Sequence, residues 1–226
     1  MGCSCSQMPR RSNSTMDQLK TEADLEGAVL LLVAIEPRFL IILEQHGLPA
    51  LRQMEPGLKS LLRIVTDQLI SLQAGAAIWN RLEARLIAFA EPDVRRCPED
   101  ELMSLGLSRA KARTFHAAAE FFRDLGPQSL GGLADHEAVS KLTSIRGVGP
   151  WTADIYLLSA LMRIDAWPAG DLALQVATQD LLGLPERPDP KAMIKLAETW
   201  RPVRSVAARL LWSHYRGLKG INQRII

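Results

Sequence analysis

Along most of the chain the hydrophobic positions recur at three- and four-residue intervals, and no segment sustains the strict alternation of a half-buried strand. Leu58, Leu61, Leu62, Val65 and Leu69 fall on one stripe and predict a helix over residues 58–72. Ile78, Trp79, Leu82 and Leu86 keep the period and predict another over 74–89, with Trp79 turned into the core. Upstream, the apolar run 28–35 is broad enough to be buried. Thr21 caps its helix, Glu22 and Asp24 suit the first turn, and Glu36-Pro37 stops it. The same reasoning predicts helices over 39–45, from Pro98 to Gly106, from a Ser108 cap to 125, and from an Asp135 cap over 136–142. Others are expected over 150–163, 172–182 and 191–200, with Pro202 opening a last one to 216; residues 126–132 and 185–190 read as linker and loop. The fold class that follows is all-α.

The sharpest interruption of this pattern is Leu142-Thr143-Ser144-Ile145-Arg146-Gly147-Val148-Gly149-Pro150-Trp151-Thr152-Ala153. Two glycines open backbone angles closed to other residues, and Pro150 has the fixed φ and missing N–H that suit the first position of a helix. The segment reads as helix, tight hairpin, helix. Such a hairpin bares the amides of Gly147, Gly149, Trp151 and Thr152 beside a helix N-terminus, where an anion is favoured, and a nucleic-acid phosphate is the natural guest. On physics alone a plain helix-to-helix turn with a glycine C-cap and no ligand reads equally well.

Composition narrows this picture. The 226 residues allow one or two domains and a real core, and 47% hydrophobic residues is ordinary for a globular protein. A net charge of only +2 means that a nucleic-acid binder must gather its positive potential on one face. Cys3, Cys5 and Cys97 make no disulfide framework and point to a reducing, cytoplasmic (in a bacterium, nucleoid-associated) setting. The longest apolar run is too short to span a bilayer, so no membrane partner is expected. Residues 1–20 are polar and serine-rich and read as a disordered arm bearing Arg10-Arg11; the myristoylation-like start Met1-Gly2-Cys3-Ser4-Cys5-Ser6 reads as chance within it. His116 and His136 have no partner at metal-ligand spacing.

The hairpin, together with Pro168-Ala169-Gly170-Asp171-Leu172-Ala173-Leu174 some twenty residues downstream, resembles the helix-hairpin-helix DNA glycosylase superfamily, nearest its alkyladenine (3-methyladenine DNA glycosylase II) branch. The likeness extends over roughly residues 58–215. It includes Thr66-Asp67-Gln68-Leu69-Ile70-Ser71, Leu107-Ser108-Arg109-Ala110-Lys111-Ala112-Arg113, and Ala197-Glu198-Thr199-Trp200-Arg201-Pro202-Val203-Arg204-Ser205. It implies two helical lobes with a cleft between them and no N-terminal sheet domain. One lobe would span about 58–165; the other would join 21–57 to 166–226. It implies a monomer acting on duplex DNA with a flipped damaged nucleotide, in base excision repair. Asp171 would be the catalytic carboxylate and Trp151 and Trp212 the aromatic walls of the base pocket. Gln68 would fill the gap in the duplex and Leu69 would wedge the stack. Gly147, Gly149, Trp151 and Thr152 would hold phosphate, and the carbonyls of Thr143, Ile145 and Val148 a monovalent cation. No other cofactor is implied. An iron–sulfur cluster, present after the last helix in some relatives, is not expected from three scattered cysteines.

One position that discriminates between mechanisms and two departures from the family pattern matter. Trp151 stands where the glycosylase/lyases carry a Schiff-base lysine, and no lysine occurs between Gly147 and Pro190, so the expectation is a monofunctional enzyme. Asp67 replaces a second glutamine. Ile155 stands where the bacterial type enzyme has an aromatic, which leaves the range of bases open. A non-catalytic helix-hairpin-helix DNA-binding module, or a glycosylase for uracil, hypoxanthine or another lesion, is the alternative reading.

Overall fold

A computed structural model of the protein describes residues 17–86, 88–125 and 130–220. Arg10-Arg11, the myristoylation-like start, Cys3, Cys5 and most of the expected linker (126–129) lie outside the described residues. The described residues form α-helices α1 (Glu22–Ile35), α2 (Phe39–His46), α3 (Leu58–Asp67), α4 (Leu72–Arg85), α5 (Glu91–Arg96) and α6 (Glu99–Ser104). They continue with α7 (Arg109–Leu125), α8 (Asp135–Thr143), α9 (Pro150–Ser159), α10 (Leu172–Leu182), α11 (Pro190–Ala197), a 3₁₀ turn (Glu198–Trp200) and α12 (Arg204–Lys219). No strand occurs among the described residues; one isolated antiparallel bridge pairs Gln18 with Arg163.

The packing divides by sequence. α3 lies against α4, α7 and α9; α8 joins α9 to form the hairpin; α5 and α6 rest on α7. α12 packs on α1, α2 and α10. The core of this second group is aromatic: fully buried Trp200 meets Phe39 edge-on at 5.2 Å and Trp167 at 5.5 Å, an arrangement that the ring quadrupoles favour. Trp79 is buried as expected and stacks on Phe89 at 4.5 Å. The 54–57 segment is tied to α9 by two bonds: Met54 N–H donates to Ser159 O at 2.8 Å and Gly57 N–H to the Tyr156 side-chain hydroxyl at 2.7 Å.

Several boundaries differ from those the pattern predicts. The stripe over 58–72 breaks at Asp67, where Gln68 leaves the helix and Leu69 turns to φ +57°. Ser71 then caps α4 through the Ala74 amide, so α4 begins two residues early and ends at Arg85. The helix expected over 150–163 stops at Ser159, because Met162 adopts φ +54° and Arg163 N–H bonds back to Leu157 O. Ala134, not Asp135, is the cap of α8, and the Glu137 carboxylate accepts its N–H. α12 starts at Arg204 rather than Pro202, after a turn in which Val203 N–H bonds Trp200 O. α5 was not expected at all. The arm read as disordered through residue 20 is docked at its end: Leu19 is buried, its N–H donates to Met162 O, and Asp17 O accepts from Ile164 N–H.

Candidate active site and nucleic-acid interface

The hairpin sits where α8 hands over to α9. Val148 N–H closes its turn on Ile145 O at 3.0 Å, and the buried side chains of Ile145 and Val148 root it in the core. Gly147 is at φ +87°, and a Cβ there would run into Thr114 Oγ1 on α7. Gly149 is different: its φ of −96° suits any residue, and a Cβ would meet nothing within 4 Å. Gly149 is the N-cap of α9 and supplies no capping side chain, so the first-turn amides of Trp151 and Thr152 are not answered by one. Thr152 is itself buried, and its hydroxyl accepts from Gln68 Nε2 at 2.7 Å, so only its amide faces a guest at the helix end.

That bond ties the hairpin to the turn between α3 and α4. Gln68 Nε2 also reaches Gly147 O at 3.5 Å. The next residue, Leu69, is fully exposed, so it is no part of the core. Asp67 turns inward, bonded to Arg63 Nε at 2.9 Å, with its other oxygen buried and unpartnered among the described residues. Burial raises its pKa above the usual carboxylate value. Of the basic segment 109–113, Arg113 pairs with Glu99 at 3.4 Å, and Lys111 turns toward the α3–α4 turn rather than to open solvent. Sequence reasoning takes Lys111 only as part of a basic helix face and misses Thr114; the two stand three apart on one face of α7.

Asp171 is the N-cap of α10, and its Oδ1 accepts the Leu174 amide at 3.0 Å. The loop before it is fixed by Asp171 N–H bonding Pro168 O and by the Gln175 side chain bonding Ala169 O. Both tryptophans then converge on its carboxylate. Trp151 Nε1 donates to Oδ2 at 3.0 Å from α9, and Trp212 Nε1 to Oδ1 at 3.2 Å from α12. Three N–H donors thus meet at one half-buried carboxylate at a helix N-terminus. The indoles were expected as walls; the structure adds that their edges are pinned to the acid between them. Tyr156, beside Ile155, is no part of this arrangement, because its hydroxyl is engaged at Gly57.

Behind Trp212 lies a cavity of about 140 Å³ lined by Ile155, Leu158, Met54, Arg52 and Arg209 among others. It is small beside the ~300–1,000 Å³ of ordinary ligand pockets. Arg209 is buried, donates to Leu158 O at 3.1 Å, and keeps an Nε without an acceptor among the described residues. A larger cavity of about 620 Å³, between the 54–57 segment and the Trp79–Phe89 stack, is lined by none of the site residues expected from the sequence. Cys97 is buried beside Glu101, and burial pushes its thiol up to about 11, so it offers no nucleophile.

The model of the HhH-GPD superfamily of base excision DNA repair proteins matches residues 62–202. DNA-3-methyladenine glycosylase 1 of Schizosaccharomyces pombe is 31% identical over 160 residues, which is 68% of this chain and 70% of that protein. Among solved structures, a DNA-3-methyladenine glycosidase from Bacillus halodurans superposes with a TM-score of 0.73 at 26% identity, over 85% of this chain and 91% of that one. A 3-methyladenine DNA glycosylase from S. pombe, solved in complex with abasic DNA, shares the fold with a TM-score of 0.75 at 24% identity, over 85% and 97%.

Proposed function

Because the chain belongs to the HhH-GPD superfamily of base excision DNA repair proteins, we propose that it is a monofunctional DNA glycosylase that hydrolyses the N-glycosidic bond of alkylated purines, such as 3-methyladenine, in duplex DNA. The observation that carries this reading is the Asp171 carboxylate held by two indoles and an amide at the end of a loop beside the hairpin. A non-catalytic binding module has no need of such a group.

The chemistry follows from charge. As the bond breaks, the base leaves with the bonding pair and positive charge builds on the sugar. Asp171 supplies a fixed negative charge against it, and water adds at C1′ while its proton passes to the carboxylate or to solvent. An N-alkylated purine already carries positive charge, so it departs without a strong general acid. Trp151 and Trp212 then have two tasks: their faces stack on the cationic base, and their N–H groups fix the acid. Phosphate would dock on the hairpin backbone at Gly147 and Gly149 and on the amides of Trp151 and Thr152. The carbonyls of Thr143, Ile145 and Val148 fit a monovalent cation there, since each is a neutral oxygen donor and the Ile145 oxygen keeps a second lone pair beside its turn bond. Leu69 would enter the stack, and Gln68, released from Thr152, would fill the space left by the flipped nucleotide.

The test is to incubate the protein with duplexes each carrying one alkylated purine, hypoxanthine or uracil, and to reveal abasic sites with alkali. Release of alkylated purine, strand breakage only after alkali, and no protein–DNA adduct after borohydride are expected. A borohydride-trapped adduct overturns the monofunctional reading and directs attention to Lys141 and Lys191. Binding without release of any base leaves a binding module.

A further inference from the structure

The turn that carries Leu69 is an unusual object to leave on a surface. A leucine at φ +57° is strained, and full exposure gives it no packing in return. Something else must hold it. Upstream, α3 ends with carbonyls that have no partner within the helix. The ammonium of Lys111, reaching across from α7, donates to two of them: Thr66 O at 2.9 Å and Gln68 O at 2.8 Å. The second is the carbonyl of the peptide that leads into Leu69. Lys111 is only partly exposed, so these contacts are not those of a free surface chain. One turn further along the same face of α7, Thr114 closes the space beside Gly147.

We propose that Lys111 is a positioning residue for base extrusion: it clamps the Leu69 turn in its strained, outward form and, through α7, sets that turn in register with the phosphate-binding hairpin. This rests on the reading of Leu69 as the wedge. A rigid wedge enters the duplex without first being ordered, so the clamp acts on the unstacking step and not on bond cleavage. Lys111 need not touch DNA or the base to do so.

The experiment reads extrusion separately from chemistry. A 2-aminopurine placed at the target position of a duplex brightens when it leaves the stack. Wild-type protein should give this rise. Lys111→Met should reduce it about tenfold at equal DNA occupancy, and Lys111→Gln, which keeps a donor, should be intermediate. Base release from duplex should fall in parallel with the fluorescence, whereas release from the same lesion in a single strand, which needs no wedge, should change by less than about twofold. Leu69→Ala should mimic Lys111→Met, and the double variant should be no worse than either, as expected for two residues acting through one device. Equal losses on single and double strands, or losses that multiply in the double variant, overturn the proposal and leave Lys111 a helix-capping residue. No brightening with wild-type protein overturns the wedge and this inference with it. Brightening without base release instead sinks only the glycosylase reading.

Discussion

Asp171→Asn keeps the shape and the α10 cap but removes the charge. Base release should be abolished while affinity for duplex is nearly unchanged in a direct binding titration; wild-type turnover in this variant would remove Asp171 from the mechanism. Trp151 permits a finer separation, because its face and its N–H act on different partners. Trp151→Phe keeps a ring but leaves Asp171 Oδ2 without its indole donor. A hydrogen bond to a charged group contributes about 1.5–3 kcal/mol, so single-turnover release should slow by roughly ten- to a hundredfold. Trp151→Ala should lose about a further 1–3 kcal/mol of stacking, more for a cationic base than for a neutral one. If Phe behaves as wild type, the bond to Asp171 has no catalytic weight. The carboxylate and both tryptophans stand out in the sequence only through the resemblance to the family. Their mutual hydrogen bonds do not, since nothing in a spacing of 20 or 41 residues tells which edge of an indole faces an acid.

At the scale of elements, the hairpin glycines have separable roles that the motif alone does not distinguish. Gly147→Ala forces a side chain into φ +87° and against Thr114. The backbone strain alone is about 1–3 kcal/mol, so the melting temperature should drop. Gly149→Ala meets no neighbour and no forbidden angle. Its melting temperature should match wild type while binding weakens alike for damaged and undamaged duplexes, because phosphate contacts carry no sequence information. Loss confined to damaged DNA would mean that the hairpin reads the lesion. Element existence was largely legible here, and element ends were not. The apolar period runs straight through Gln68 and Leu69, yet the helix breaks there, because Lys111 and Thr152 offer the turn better partners than another helical turn would. The one local sign was Ser71, a good cap lying inside the apparent helix. Neither α5 nor α6, six residues each, is long enough to show a period; α6 was readable from its three first-turn acids and the closing Gly106, whereas Ala90 gives α5 no capping side chain.

At the scale of the whole molecule, α9 is shared property: its N-terminus belongs to the hairpin, its Trp151 to the acid, and its Tyr156 and Ser159 to the 54–57 segment. Asp154, one turn beyond Trp151, feels the charges of Arg204 on α12 and Asp135 on α8. Burial, opposed by Arg204 and reinforced by Asp135, pushes its carboxyl up from 3.8 to about 7. The sign of the consequence is fixed by linkage. Between these two values the folded chain holds a proton that the unfolded chain has released, so this group's contribution to stability falls as pH rises from about 4 to 7 and is flat above. Other carboxylates act in the opposite sense: Glu36 and Glu198, bonded to Arg38 and Arg201, have lowered pKa values and lose their contribution as pH falls. The wild-type profile alone therefore mixes the two. Asp154→Asn isolates the first, because an amide has the acid's shape and nothing to ionise. Thermal denaturation of both proteins should show the variant gaining on wild type steadily between about pH 4 and pH 7, the interval in which the folded chain holds a proton that the unfolded chain has released, and levelling off above it. A difference in melting temperature that stays constant over that interval would mean that Asp154 is solvated in the folded protein and carries its charge at no cost to folding.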